Sequence, residues 1–270
     1  MKNAIIFLGT GGDSIVVGKQ VRASGGIVLR FGDNQFHIDP GPGAVVRAKQ
    51  YDVNPRETTA ILVSHNHLNH AAGLNSLISA MTYSGIDKRG VLACDEETLH
   101  GSVNENPSVS KYHKGLVERF IALKPGMKIG INDVNIIATN AKHTDTSIGF
   151  KFYTENFVVS YVSDTDYCKE LVEDHQDADV IIINCKYPLG LTQKGHLNSE
   201  DVVKFLEKAK PKLAILTHFG IKMLDADPIY EAREIQKKIS NTQVIAAKDG
   251  LVVNPVSYAS SLKQRKLDAF

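Results

Sequence analysis

The sequence predicts an α/β or α+β sandwich with β-sheet inside and helices outside. Short apolar runs typical of strands recur along the whole chain, several of them in hairpin pairs, and amphipathic helical segments lie between them. No low-complexity linker divides the 270 residues. We therefore expect a single domain, residues 1–256, followed by a polar C-terminal tail, residues 257–270.

The first half of the chain is dominated by strand-type runs bounded by turn residues. Strands are expected at residues 4–8, 26–31, 35–38, 59–63 and 91–94. The sequence Gly32-Asp33-Asn34 is typical of the turn between the second and third of these strands. Residues 71–83 have apolar side chains at helical spacing, and residues 101–115 are rich in Asn, Ser and Gly, which predicts a helix and then a loop.

The second half of the chain continues the same pattern. Strands are expected at residues 128–130, 134–139, 149–153, 157–162, 179–184, 213–216, 243–246 and 251–253. Helices are expected at 199–208 and 227–239. The first of these helices places Val202, Phe205 and Leu206 on its inner face and charged residues on the opposite face.

The glycine-rich segment Gly9-Thr10-Gly11-Gly12-Asp13-Ser14 follows a strand, as a dinucleotide-binding loop would. The third glycine of that G-x-G-x-x-G motif is replaced by Ser14. The next residues, Ile15-Val16-Val17-Gly18, are poor helix formers, whereas the motif needs a helix whose N-terminus meets the pyrophosphate. We therefore expect a tight turn that leads to another strand and no dinucleotide site.

Charge and composition exclude several classes of protein. The 31 Lys and Arg balance 30 Asp and Glu, so the net charge of +1 gives no global attraction for nucleic acid or for an anionic membrane. No segment approaches the ~18 consecutive apolar residues of a membrane span, and the first apolar run is too short for a secretory signal. Three dispersed cysteines suit a reducing compartment. The sequence predicts a soluble, cytoplasmic protein.

A histidine cluster is the strongest chemical signal, Ser64-His65-Asn66-His67-Leu68-Asn69-His70, placed directly after a buried-type strand. His65 and His67 stand two residues apart in an extended chain, so they point to the same side and can chelate one metal ion. His70 can turn toward a second ion about 3.5–4 Å from the first. The alternative is a solvated polar loop.

Further ligand-type residues come at the ends of predicted strands. They are Asp39, His143, Asp164, His196 and His218. Any one of them alone would be an ordinary surface or core residue. Together with the cluster they indicate one convergent site. Of the remaining histidines, we expect His37 on a strand face and His175 at the surface.

The ordered set formed by Asp39, the cluster 65–70, His143, Asp164 and His218 resembles the motifs of the metallo-β-lactamase superfamily and spans nearly the whole chain. The resemblance implies an αββα four-layer sandwich with the site at one edge of the paired sheets.

By the same resemblance, His65, His67 and His143 hold one metal ion, and His70 and His218 hold a second. Asp164 bridges the two ions, a bridging hydroxide is the nucleophile, and Asp39 orients a ligand or the attacking water. Two zinc ions are expected, the second more weakly held, with manganese or iron as alternatives.

Three segments resemble the ribonuclease Z and phosphodiesterase branch of that superfamily: Leu8-Gly9-Thr10-Gly11-Gly12, Gly195-His196 and Leu216-Thr217-His218-Phe219. In that branch the histidine that matches His196 contacts the scissile phosphate or helps to protonate the leaving group. The resemblance implies a metallo-hydrolase of a phosphodiester, either a small cyclic or nucleotide phosphodiester or an RNA end. The alternative for His196 is a structural role next to a helix N-cap.

Asn69 departs from the family pattern, which has an Asp ligand of the second metal at this position. A neutral carboxamide is a poorer ligand than a carboxylate. The second ion is then weakly bound or lost, or the dinuclear site survives with one fewer negative charge. Asp145 and Asp166 are candidates for the missing carboxylate because they lie close in sequence to His143 and Asp164.

The short segment between His143 and Asp164 is a second departure. Only twenty residues lie there, whereas ribonuclease Z inserts an arm that grips tRNA at this point. A small or exposed phosphodiester is therefore expected as substrate in preference to long RNA, although a homodimer partner could supply further contacts. Two other functions stay open: hydrolysis of a lactone, thioester or β-lactam on the same centre, and binding without catalysis.

Overall fold

The computed structural model describes residues 2–259 and places two β-sheets face to face. The strands of the first sheet, in chain order, are β1 (Asn3–Phe7), β2 (Ile27–Phe31), β3 (Asn34–Ile38), β4 (Ala60–Val63), β5 (Val91–Asp95) and β6 (Arg119–Leu123). Those of the second are β7 (Lys128–Ile131), β8 (Val134–Asn140), β9 (Ile148–Tyr153), β10 (Val158–Val162), β11 (Val180–Tyr187), β12 (Leu197–Asn198), β13 (Leu213–Thr217) and β14 (Gln243–Ala246). The last strand, β15 (Val252–Val253), returns to the edge of the first sheet beside β1.

The helices lie between these strands in the sequence. They are α1 (Ser14–Lys19), α2 (Ala44–Gln50), α3 (Leu68–Ala71), α4 (Leu74–Thr82), α5 (Glu96–His100), α6 (Lys111–Lys114), α7 (Lys169–His175), α8 (Ser199–Ala209), α9 (Ile221–Asp225) and α10 (Pro228–Lys238). Short 3₁₀ helices occur at Pro55–Glu57 and Pro255–Tyr258.

Each sheet is antiparallel on one side and parallel on the other. In the first sheet β15, β1, β2 and β3 are antiparallel neighbours, and β3, β4, β5 and β6 are parallel. In the second, β7 to β10 are antiparallel, and β10, β11, β13 and β14 are parallel. Parallel strands end at the same edge of a sheet, so the loops that follow them are brought together there.

The central core lies between the sheets and contains apolar residues from both of them. Phe31 of the first sheet packs edge-on against Phe152 of the second, with ring centroids 6.0 Å apart. Among the described residues, three outer cores lie under the helices: one around Leu77 and Met81 of α4, one around Phe205 of α8, and a smaller one around Val28 of β2 and Ala48 of α2. This order of layers confirms the predicted αββα sandwich.

A helix follows the glycine-rich segment, whereas the sequence predicted a tight turn and then a strand. Residues Ser14–Lys19 form α1, whereas the β-branched residues had indicated a second strand. The Asp13 carboxylate accepts a hydrogen bond from the Val16 amide at 2.8 Å and so caps the helix. Val16 is completely buried. An N-cap of this kind stabilises a helix by about 1 kcal/mol, which outweighs the small propensity differences of Ile and Val.

Several short elements have weak sequence signals and were not predicted, among them α2, α5, β6, α6, α7, β12 and α9, and α6 lies inside the predicted loop 101–115. Helix α2 buries only the small side chains of Ala44 and Ala48, so its apolar stripe is faint. Strand β6 lies at the sheet edge and is exposed over its first two residues.

The predicted tail, residues 257–270, lies outside the described residues from position 260 onward. Tyr258 and Ala259 still contact the central core. In the described range, 2–259, no helix is both long enough and apolar enough to cross a bilayer. The cytoplasmic location stays a prediction.

Candidate metal centre

The predicted site residues come together at one edge of the sandwich, where strands of both sheets end. Asp39 follows β3 and the histidine cluster follows β4. His143 and Asp164 follow β8 and β10, His196 precedes β12, and His218 follows β13. Residues far apart in sequence are therefore neighbours because the strands before them end at the same edge.

Three imidazole nitrogens converge at the first part of this cluster. His65 Nε2 and His143 Nε2 each lie 3.0 Å from His67 Nδ1. One tetrahedral ion with bonds of about 2.0–2.1 Å to nitrogen holds its ligand atoms about 3.3 Å apart, close to this spacing. The three side chains therefore fit the ligand set that the sequence predicted for one metal ion.

The second part of the cluster is built around the buried carboxylate of Asp164. Its Oδ1 lies 3.1 Å from His218 Nε2, and its Oδ2 lies 3.5 Å from His70 Nε2. Both histidine nitrogens are buried, and neither makes a hydrogen bond of good geometry. Buried nitrogens without a partner are costly unless a ligand satisfies them. Asp164 Oδ2 also lies 3.9 Å from His143 Nε2, so this carboxylate faces both parts of the cluster.

The charge state of the cluster follows from burial and from Asp164. Burial lowers the pKa of His65 well below its usual value, and it also lowers the pKa of His67 and His218. Burial acts on His70 in the same direction, but Asp164 and Asp39 outweigh it and raise the pKa of His70 to about 10. Burial alone would raise the pKa of Asp164, but His218 and His70 hold it well below its usual range. At neutral pH the cluster thus contains neutral imidazoles and an ionised carboxylate, which are the metal-binding forms, and one protonated histidine.

Asp39 fixes the orientation of His70. Its Oδ2 accepts hydrogen bonds from His70 Nδ1 at 2.8 Å, from the Tyr161 hydroxyl at 2.7 Å and from the Ser64 hydroxyl at 2.7 Å. Its Oδ1 accepts the Ser64 amide at 2.7 Å. Both carboxylate oxygens are occupied, so Asp39 acts on the site through His70, with Nε2 of that ring turned toward Asp164.

Comparison with known proteins agrees with this geometry. Residues 34–219 match the family model of the β-lactamase superfamily domain. The chain belongs to the metallo-β-lactamase superfamily. A relative in the archaeon Methanocaldococcus jannaschii, the uncharacterized protein MJ1374, is 34% identical over 256 residues, covering 94% of this chain and 95% of the relative.

More distant matches point to the same superfamily. Ribonuclease Z of Methanopyrus kandleri is 22% identical over 287 residues, which cover 92% of this chain and 96% of that enzyme. The crystal structure of the metallo-β-lactamase fold protein YhfI from Bacillus subtilis superposes with a TM-score of 0.75 at 20% identity, covering 93% of this chain and 98% of YhfI. The similarity to the YhfI structure establishes the fold.

Sequence reasoning missed two residues of this superfamily member's site, Tyr161 and Asn184. Asn184 Nδ2 donates to Asp164 Oδ1 at 2.8 Å and to the Tyr161 hydroxyl at 3.1 Å. Tyr161 in turn donates to Asp39, so a continuous chain of hydrogen bonds joins Asp164 to His70. The available signal was a polar residue inside an otherwise apolar strand, as at Asn184 in β11.

Two glycines allow the backbone to approach the predicted ligands closely. A Cβ at Gly12 would lie 2.0 Å from the carbonyl oxygen of His218, and one at Gly195 would lie 2.7 Å from His143 Nδ1. His218 itself has φ of 62°, an uncommon value for a residue other than glycine. The glycine-rich segment 9–12 is therefore needed for close packing around the site.

A cavity of about 970 Å³ opens onto the cluster and contains both His67 and Asp164 in its lining. Asn69 lines it as well, so the residue that departs from the family pattern lies beside the predicted metal ligands. Asp145 and Asp166 also line it, but neither belongs to a described group of three or more metal-type ligands with donor atoms within 4.8 Å of one another. Asp166 Oδ1 instead accepts a hydrogen bond from the Gly195 amide at 2.6 Å.

His196 lies between the metal cluster and the cavity wall. Its Nδ1 is 3.5 Å from Asp164 Oδ2, and its Nε2 is 3.0 Å from Lys186 Nζ. The capping role considered for this region belongs to Asn198, whose side chain accepts the Asp201 amide of α8 at 2.9 Å. This leaves both His196 nitrogens directed at the site.

Proposed function

We propose that the protein is a metal-dependent hydrolase that cleaves a phosphodiester. The observation that carries this proposal is the convergence of His65, His67, His70, His143, Asp164 and His218 beside a large cavity, with the buried Nε2 atoms of His70 and His218 unpartnered. A divalent ion would satisfy those nitrogens, and its charge would favour an anionic substrate, because the three lysines among the described residues of the cavity wall are balanced by four aspartates in the same wall.

The side chains fit two ions. His65, His67 and His143 would hold one ion, and His70 and His218 would hold the other, with Asp164 between them. Imidazole nitrogens with one carboxylate suit zinc, and manganese and iron are the alternatives. Bound ions of this kind lower the pKa of water and neutralise charge that develops on a phosphoryl oxygen.

The chain's own residues supply orientation and a hydrogen-bond donor. Asp39 holds the His70 ring so that Nε2 faces Asp164. Burial lowers the pKa of His196 to about 3, so the ring is neutral near pH 7 and is placed to donate a hydrogen bond to a phosphoryl oxygen or to the oxygen of the alcohol that leaves. The similarity to a ribonuclease Z supports a phosphodiester as the bond that is cleaved.

The short segment between His143 and Asp164 contains only strands β9 and β10 and their connections. We therefore infer that the substrate is a small-molecule or nucleotide phosphodiester, or an exposed RNA end, and not a molecule that needs a separate binding arm.

Elemental analysis and turnover test the proposal together. The purified protein should carry about two metal ions per chain or take them up, and should hydrolyse bis(p-nitrophenyl) phosphate. His65→Ala and Asp164→Ala should lose both properties, whereas His100→Ala, at a half-exposed side chain on α5, should keep them. Retained turnover in a metal-free variant would refute the proposal. Hydrolysis of a lactone, thioester or β-lactam in place of the phosphodiester would favour that alternative, and absence of metal would favour a binding role.

A further inference from the structure

Lys186 is a half-buried cation at the wall of the large cavity, near the end of β11. Its Nζ lies 3.0 Å from His196 Nε2 and 5.7 Å from the centre of the Tyr187 ring. Its aliphatic part packs closely over Gly220, where an added Cβ would lie 3.1 Å from Lys186 Cγ. The ammonium group is therefore held in place beside the proposed catalytic histidine.

No carboxylate of the described residues is in ion-pair contact with this ammonium group, although Asp13 and Asp164 line the same cavity. Among residues 2–259, no Asp or Glu oxygen forms an ion pair within 4.0 Å of Lys186 Nζ. Lys142, which lines the same cavity, differs because its Nζ lies 3.3 Å from Glu170. Because the ammonium group of Lys186 faces the cavity and no carboxylate of the described residues is in direct contact with it, an anion that enters the cavity can bind it.

The hydrogen bond between Lys186 and His196 has only one possible direction. An ammonium group donates and cannot accept, so His196 Nε2 is the acceptor. In neutral His196 the ring proton then sits on Nδ1, which points toward Asp164 Oδ2 at 3.5 Å. Lys186 thus fixes the tautomer in which His196 presents an N–H to the metal-binding end of the cavity.

We propose that Lys186 is the residue by which the site selects anionic substrates. Its ammonium group binds a non-bridging oxygen of the phosphate, and its hydrogen bond keeps the His196 N–H directed at the same phosphate. A neutral lactone or thioester would leave the ammonium group without a counter-ion. This inference rests on the proposed phosphodiesterase function and deepens it by assigning the substrate-selecting residue.

Binding of inorganic phosphate to the zinc-loaded, full-length protein tests the inference without any turnover. In calorimetric titrations Lys186→Met should bind phosphate about 10- to 100-fold more weakly than wild type, because one hydrogen bond to a charged group is lost. Lys186→Arg should keep most of the affinity. Lys204→Met is the matched control, since Lys204 is an exposed residue of α8 paired with Asp201, and it should bind as wild type does.

Kinetics and metal content complete the test. For bis(p-nitrophenyl) phosphate, Lys186→Met should raise KM more than it lowers kcat, with the same zinc content as wild type. Unchanged phosphate affinity in Lys186→Met, or loss of zinc from it, would overturn the inference. If wild type binds phosphate through Lys186 but hydrolyses no phosphodiester, the proposed function fails and the anion site stands. If turnover is normal in Lys186→Met, the role of Lys186 fails alone.

Discussion

Replacing Asp39 by Asn should weaken the contact that orients His70 in the candidate metal centre. Asp39 is only 5% exposed and accepts four hydrogen bonds of 2.7–2.8 Å through its two oxygens. A carboxamide has one oxygen, so either orientation turns an NH₂ group toward a donor. The backbone tolerates the change, because Asp39 has φ of 48° and Asn adopts this left-handed conformation more readily than most residues.

The expected loss of stability follows from those contacts. One hydrogen bond to the carboxylate, that of the Ser64 amide, is replaced by two donors that face each other, which costs about 2 kcal/mol. The other three hydrogen bonds are then made to a neutral oxygen, and each becomes weaker by about 1 kcal/mol. Allowing for relaxation, we expect the free energy of unfolding of the metal-free protein to fall by about 3–5 kcal/mol. Metal affinity should fall by about 10- to 100-fold, because His70 keeps only a hydrogen bond to a neutral amide oxygen and loses the charged partner that orients it.

Urea denaturation and competition with a chelator measure these two effects. Tyr161→Phe is the graded control: it removes one of the four bonds to Asp39 and should cost about 1.5–3 kcal/mol, less than Asp39→Asn. The reasoning is refuted if Asp39→Asn folds with wild-type stability and binds metal within about threefold of wild type. Equal losses in both variants would contradict the assignment of His70 as the residue that Asp39 orients.

Three further predictions concern metal uptake and pH. Asn69→Asp should increase the affinity for the second metal ion and raise the rate of phosphodiester turnover, which metal analysis and rate measurements would detect. Unchanged metal content would show that position 69 does not control that site. Because the pKa of His70 is raised to about 10 without metal, zinc must displace the proton of His70, and the apparent zinc affinity should rise up to tenfold per pH unit between pH 7 and 9. Calorimetry in buffers of different ionisation enthalpy should detect about one proton released on binding. Zinc binding that does not depend on pH would contradict this prediction. Burial lowers the pKa of His175 to about 3, so the unfolded state takes up a proton first as pH falls below 6.5, and stability should drop by about 2 kcal/mol by pH 5. Urea denaturation of His175→Gln should show a pH dependence smaller by that amount, and an identical pH dependence would be the contrary result.

His175 shows why local polarity alone did not predict burial. It was expected at the surface because acidic and amide residues surround it in sequence. Helix α7 instead turns it inward, where it is fully buried, lies 2.5 Å from the Ser160 hydroxyl and packs edge-on against Phe205. The direction in which a helix faces depends on the sheet beneath it. His37, expected on a strand face, is buried on β3 with its Nε2 2.8 Å from the Gly25 carbonyl oxygen.

The sequence alone predicted a sandwich with sheet inside and helices outside and a convergent histidine site, and its resemblance to the superfamily added the four-layer order and the full set of metal ligands. Strand and helix periodicity is a local property, and a run such as His65-x-His67 has few explanations other than metal chemistry. The order of such residues, each after a strand, sufficed to place them at one edge of the sandwich. Their roles as ligands stay a proposal until metal is measured.

Only the tertiary structure decided the contacts between side chains that are distant in sequence. The chain of hydrogen bonds through Asn184 and Tyr161, the position of Lys186 beside His196, and the close approach of Gly12 to His218 all join different strands. Each depends on strand register and on which face a residue occupies, and a shift of one residue would reverse that face. The sequence therefore specifies which groups the site contains, and the packing of the two sheets specifies how those groups are oriented.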